Sequence, residues 1–362
     1  MKSFFKRSAI SVVVLGMAGS VYAAAAPNTY NANTWAPQFS GAFIGVEGLD
    51  LRPMNGDLDY VTVNPANTSV PGTYSNNAIN TSYDWSWRVF GGLKFTENDD
   101  LTVSWMQMRT SDNDSVAPVG TALNGAGFST PRWLFNGPWT SVNGHVTFDL
   151  DDVYAVWGHT INFNNPWSVR FAGGLEYAKL SSDLTVTADS GNPAGLGVVG
   201  FKSENETKGF GPRVEMDLTY HLPYGFALFG NANGALLVSK RDISLNVTNT
   251  EQTVISFANS DYSDRHVVIP KFGMKLGASY TYVWGAVGAE GIPCRTTSLT
   301  VDAGWQVESY IHAIERPEDS FEAITPGLAT NVVSSSGFAS TKTSNFSDQG
   351  LFIGVKLGTD WM

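Results

Sequence analysis

Residues 208–238 read KGFGPRVEMDLTY, HLPYG and FALFGNANGALLV in succession, and this stretch decides the fold. In its first arm Phe210, Pro212, Val214, Met216, Leu218 and Tyr220 share one parity, while Gly211, Arg213, Glu215, Asp217 and Thr219 share the other. A β-strand sends successive side chains to opposite faces, so this arm has one oily wall and one charged wall. A half-buried strand of a soluble sandwich shows a similar pattern. What marks a transmembrane β-barrel is recurrence, in long strands joined by alternately short and long connections.

The pattern recurs on both sides of that hairpin. Strand one, 38–51, is the least clear; Ile44 and Val46 read outward because the other parity carries Glu47. Strand two (83–95) sets Trp85, Trp87, Val89, Leu93 and Phe95 against Asp84, Arg88 and Lys94. Strand three (100–109) places Leu101, Val103 and Trp105 together. Strand four (144–161) opens with Val146, Phe148 and Leu150 opposite His145, Thr147, Asp149 and Asp151, then slips near Asp152 in a way that reads as a bulge. Strand five (167–187) opposes Val169, Phe171, Leu175 and Tyr177 to Arg170 and Glu176. Strand eight (266–282) opposes Phe272, Met274, Leu276, Tyr280 and Tyr282 to Lys271 and Lys275. Strand nine (296–312) turns Leu299, Val301, Trp305 and Val307 away from Asp302, Gln306 and Glu308, and strand ten (348–361) lines up Leu351, Ile353, Val355 and Leu357.

With the hairpin's two arms this makes ten strands, five long connections on one side and four short ones on the other. That predicts an all-β fold, an antiparallel transmembrane β-barrel with short periplasmic turns, long extracellular loops and both termini on the periplasmic side. Hydrocarbon tolerates no unpaired backbone amide, so the sheet must close and strand one must pair with strand ten. Trp167, Tyr220, Phe226, Tyr280, Tyr282 and Trp361 cluster at the periplasmic ends and fit an aromatic girdle at headgroup level. Pro212 and Pro270 strain the reading, because proline removes a ladder donor.

The beginning of the chain reads as an export signal. Lys2, Lys6 and Arg7 precede the apolar run 9–18, and Val21-Tyr22-Ala23 supplies the small residues before a cleavage expected after Ala23. Residues 24–362 then form one outer-membrane barrel domain. No later window is apolar for the roughly 18 residues of a membrane helix. Removing the three basic signal residues from 22 leaves 19 against 33 acidic, a net charge near −14, which argues against nucleic-acid binding. Cys294 is the single cysteine, so no internal disulfide forms.

The stretches 171–180 (FAGGLEYAKL), 209–220 (GFGPRVEMDLTY), 225–238 and 270–282 (PKFGMKLGASYTY) resemble the Legionella-type major outer membrane protein family, over most of the mature chain and best from about 149 to 282. The resemblance implies an outer-membrane porin, abundant at the bacterial cell surface and oligomeric in some members. Family members can carry subunit-linking cysteines, a role open here to Cys294 alone.

The inward rows carry Asp84, Arg88, Asp149, Arg170, Glu176, Arg213, Glu215, Asp217, Lys271, Lys275, Asp302, Glu308 and Lys356. As pore-lining residues they predict a narrow channel for ions or small solutes with weak cation preference, since ten strands leave little room. Solvated or mutually paired charges with no transport role are the competing reading. The main rival function is a surface-adhesion barrel acting through its long loops. A remote third is an omptin-like protease using Asp112, Asp114, Asp264 and His266. No metal cluster and no phosphate-binding glycine loop appears, so no cofactor is expected. Expected partners are outer-membrane lipid and lipopolysaccharide, host surface molecules and a second copy of the chain.

Overall fold

The computed structural model describes residues 41–64, 75–96, 98–117, 128–131, 140–163, 166–189, 191, 198–249, 260–287, 293–319 and 339–360. The expected signal peptide with its cleavage point, and Trp361 of the expected girdle, lie outside the described residues. Among the described residues thirteen strands are formed: β1 (Gly41–Asn55), β2 (Asp59–Asn64), β3 (Ser75–Ala78), β4 (Asp84–Lys94), β5 (Asp99–Val116), β6 (Phe128–Pro131), β7 (Ser141–Asn162), β8 (Trp167–Asp189), β9 (Val198–His221), β10 (Phe226–Asn249), β11 (Ser260–Val287), β12 (Pro293–Asp319) and β13 (Ala339–Asp360). Ten of them close into an antiparallel barrel in the order β1-β13-β12-β11-β10-β9-β8-β7-β5-β4, and β3-β2-β6 make a small separate sheet. Closure runs through β1, where Val46 stands opposite Val355 on one side and Val89 on the other. The first and last barrel strands pair, as the hydrocarbon requires.

The outward faces show where the bilayer sits. Val214, Met216, Leu218, Leu228, Leu236, Phe272, Met274 and Leu276 are all exposed on the outer wall. On β9 the apolar row spans Phe210 to Tyr220, about the length of a tilted crossing. At the short-turn end aromatic rings meet in pairs: Trp167 with Tyr220 at 4.6 Å, Phe226 with Tyr280 at 4.9 Å, and Phe95 with Trp157 at 5.1 Å between centroids. These form the periplasmic girdle. The turn 222–225 is closed by Leu222 N–H donating to the Phe226 carbonyl, with Tyr224 (φ 65°) and Gly225 (φ 88°) in the left-handed region.

Beyond the band the strands continue, and this departs from the expected long loops. β8 runs to Asp189 and β9 resumes at Val198, so most of that insert is strand. β10 and β11 stay paired up to Leu245 and Ser260, a hairpin extension that the alternation of Ile243, Leu245 and Val247 does announce. In this outer half the faces exchange chemistry: the outside is polar and the inside apolar. Strand four was misread for this reason. β7 keeps one unbroken register with both neighbours and has no bulge at Asp152. Val146, Phe148 and Leu150 point inward and are fully buried, whereas Asp149 lies outside. The medium changes there, not the parity.

The two prolines occupy places where pairing lapses. The β9–β10 ladder skips from Arg213–Ala235 to Phe210–Val238, across Gly211 and Pro212. Pro270 lies just beyond Lys271–Tyr310, where the β11–β12 ladder ends. Past that point β12 parts from β11 while staying paired with β13 as far as Asp319. His312 takes a positive φ of 55°, and the register with β13 shifts between Tyr310 and Ile314. Residues 313–317 are then buried on both faces, because this segment lies across the barrel interior against β9.

Candidate functional site

The lumen changes character along its length. At the periplasmic end it is polar and partly open. Arg170 forks to Asp100 (2.6 Å) and Asp217 (2.8 Å) and reaches Glu215 at 3.3 Å. Asn231 donates to Asp217, and Asn233 to Asn231. Lys356 faces the same space beside the Phe43 ring. These side chains are half-buried.

Higher up, charges from non-adjacent strands meet across the lumen. Lys271 on β11 contacts Glu176 on β8 at 2.9 Å, Glu308 on β12 at 3.0 Å, and Asp152 on β7. Arg88 on β4 reaches Glu47 at 2.9 Å and, over the width of two strands, Glu308 at 3.3 Å. Arg213 holds Glu176 at 2.6 Å and stacks 3.9 Å over the Tyr154 ring. Lys275 pairs with Glu47 and lies 3.9 Å over Phe352. Every barrel strand contributes a buried inward residue: Glu47, Arg88, Met106, Asp152, Glu176, Arg213, Ala235, Lys271, Glu308 and Asp348. Lys271 and Glu176 have no exposed side-chain surface at all. Among the described residues the lumen here is filled by side chains.

Above the charged layer lies an apolar one. Leu49, Leu51, Met108, Val146, Phe148, Leu184, Phe201, Leu245 and Phe346 form a packed core inside the wall. Two segments close it from outside. Tyr60 and Val61 of the small sheet, with Leu58 and Ile79 flanking it, pack into the same core, and Tyr60 and Ile79 sit against Gly144 of β7. Burial, with Asp114 nearby, pushes the Tyr60 hydroxyl up to about 12. The inward arm of β12 is fastened by Glu315 to Arg241 (2.6 Å) and Arg265 (2.7 Å). Arg316 adds hydrogen bonds to the Asp57 carbonyl (2.6 Å) and Ser182 Oγ (2.8 Å). Asn205 and Thr207 donate to the carbonyls of Glu315 and Ala313.

Of the predicted lining residues, Arg88, Arg170, Glu176, Arg213, Glu215, Asp217, Lys271, Lys275, Asp302, Glu308 and Lys356 face inward. Asp84 keeps the inward parity but is exposed at the head of β4, its carboxylate accepting from the Trp85 amide. Asp149 is a correction. It stands on the outer surface, 3.6 Å from Arg109, with over half its side chain exposed. The sequence reading left out Glu47, Asp100, Asp152 and Asp348. Continuous parity through β7 would have found Asp152, and Glu47 already opposed an outward Val46.

The protease quartet is not assembled. Asp112 is inside β5, accepting from the Ser82 amide (3.0 Å) and hydroxyl (2.6 Å), whereas His266 projects outward from β11 on the far side of the barrel order. Cys294 sits at the start of β12, near the periplasmic end. No group of three or more metal-ligating side chains occurs among the described residues.

Several solved structures align with the chain at low similarity. The outer membrane protease OmpT from Escherichia coli aligns at 8% identity and TM-score 0.37, over 89% of this chain and 97% of its own. The toluene transporter TbuX of Ralstonia pickettii aligns at 8% and 0.30, over 92% of each chain. Ail, the attachment invasion locus protein of Yersinia pestis, aligns at 10% and 0.25, over 58% and 93%. No curated protein sequence matches the chain. The family described as the Legionella pneumophila major outer membrane protein precursor matches residues 36–359. With that match spanning nearly the whole barrel, the chain belongs to the Legionella major outer membrane protein family and is a protein of the bacterial outer membrane.

Proposed function

We propose that the protein works at the cell surface chiefly through the outer half of its barrel, which carries the connections between strands above the membrane. The observation behind this reading is the apolar core inside the outer half, sealed by the small sheet and the inward arm of β12. A barrel packed this way is a rigid pedestal, polar outside and dry within, and its natural work is presentation to host surface molecules. The reading assigns it no catalysis.

A cation-preferring, low-conductance passage is the second reading, favoured by one feature. Among the described residues, carboxylates outnumber cationic groups in the charged and periplasmic layers of the lumen: Glu47, Asp100, Asp152, Glu176, Glu215, Asp217, Asp302, Glu308 and Asp348 against Arg88, Lys94, Arg170, Arg213, Lys271, Lys275 and Lys356. Such an excess attracts cations into the vestibule, and conduction then requires the charged layer to open.

One pair of experiments tests both. Purified protein in a planar bilayer is expected to show rare, small, cation-selective openings; frequent large steps would sink the pedestal reading. Cells displaying the protein are expected to bind host surfaces, and to lose that binding when the outer connections are replaced by short turns. Unchanged binding would leave the channel as the function.

A further inference from the structure

Three lysines and a histidine stand abreast on the outer wall. Lys179 on β8 is opposite Lys208 on β9, Lys208 is opposite Lys240 on β10, and Lys240 is opposite His266 on β11. Like charges directly across a ladder destabilise a sheet, and the carboxylates nearby offset three lysines abreast only in part. Their height supplies a cause outside the sheet. Each comes two residues beyond the last outward apolar side chain of its strand: Tyr177, Phe210, Val238 and Val268, all exposed to the membrane side. Two residues along a strand are about 7 Å. That puts the row where hydrocarbon gives way to the outer-leaflet headgroups.

We propose that Lys179, Lys208, Lys240 and His266 form a docking strip for the phosphates of lipopolysaccharide in the outer leaflet. The lysine side chains are between 36% and 47% exposed, so they are reachable from the side. Within the protein Lys179 faces Asp151 across the ladder, and the lysines meet Glu206 and Asp242 set slightly higher. Glu206 takes Lys179 at 2.8 Å and also Lys208, and Asp242 lies 3.6 Å from Lys240. Exposed ion pairs of this kind contribute little and exchange readily, so a phosphate arriving from the leaflet displaces or bridges them at small cost. Followed the other way, the register meets Asp151 on β7 and Gln107 on β5, so the strip is confined to one sector of the wall. An anionic sugar lipid fits it in charge and in height, and each lysine at an anionic surface adds appreciably to attraction. The inference is independent of whether the lumen conducts.

The test is a titration of the detergent-solubilised full chain with purified lipopolysaccharide, with dephosphorylated lipopolysaccharide and inorganic phosphate as separate arms. Lys208→Gln/Lys240→Gln is compared with Arg109→Gln/Lys202→Gln, which removes equal charge from the outer wall elsewhere. The heat-dependent gel shift of the folded barrel checks that each variant folds. The expected result is binding of the phosphorylated lipid, weakened by about 30-fold in the first variant. Binding should be unchanged in the second variant and restored by Lys208→Arg/Lys240→Arg. Equal loss in both double variants, equal affinity for the dephosphorylated lipid, or no binding by the unmodified chain would overturn the proposal. So would inorganic phosphate binding as tightly as the lipid.

Discussion

Lys271 Nζ lies 2.9 Å from Glu176 Oε1 although their strands stand three places apart in the barrel wall. A contact between strands so far apart has to cross the lumen, and this one does so with no exposed side-chain surface on either partner. Asp152 and Glu308 converge on the same ammonium. Buried charges are tolerable only while each is matched, so removing the shared cation strands several carboxylates together. Lys271→Met is expected to cost about 3–5 kcal/mol, read as a lower urea midpoint for unfolding from lipid vesicles. A midpoint within experimental scatter of the wild type would mean the layer is hydrated and open.

The inward arm of β12 is held by a carboxylate. Burial alone would raise Glu315, but hydrogen bonds with Thr341 and Arg241 and the charges of Arg241 and Arg265 hold it below the ordinary range. A group with a depressed folded pKa adds stability that is fully present above its unfolded value and is lost as pH falls through the folded one. The fastening should therefore be constant from neutral pH down to about 5 and fail below about 4. Hydrogen exchange at 313–317, corrected for intrinsic rate, should show this step, and Glu315→Gln should remove it. A step near pH 6 would point to a different group.

Arg316 has no exposed surface and ties the β12 arm to the β1 end through Asn55, at 3.1 Å, and the Asp57 carbonyl. Arg316→Ala should free both segments at once. The expected readout is faster proteolysis between residues 56 and 81, together with more frequent conductance steps in a planar bilayer. Faster cleavage without a change in conductance would show that the charged layer alone closes the lumen.

The two faces of the wall should answer differently to the same substitution. Leu276 is exposed in the middle of the outward apolar row of β11, so Leu276→Arg should cost about 2–4 kcal/mol, the value for a cation at the bilayer midplane. Asp149 lies outside the membrane and outside the lumen. Asp149→Arg should leave stability within about 1 kcal/mol and leave ion selectivity unchanged. A selectivity shift in that variant would return Asp149 to the lumen.

The sequence by itself determined the closed wall: ten strands, their neighbours, the lipid-facing rows and most of the inward charges. Those follow from a period of two read against a medium that punishes every unpaired amide, as the row from Phe210 to Tyr220 shows. Only the tertiary structure decided where that medium ends. Val146, Phe148 and Leu150 are as oily as any lipid-facing row, yet they point inward, because above the headgroups the outside is water and the dry place is the barrel interior. Nor did parity decide that the inward charges pair across the lumen. Lys271, Glu176, Asp152 and Glu308 lie far apart in sequence and on four different strands, and closing the sheet brings them within ion-pair distance across its width. Side-chain alternation records which face a residue takes; it holds no information about what stands on the opposite wall.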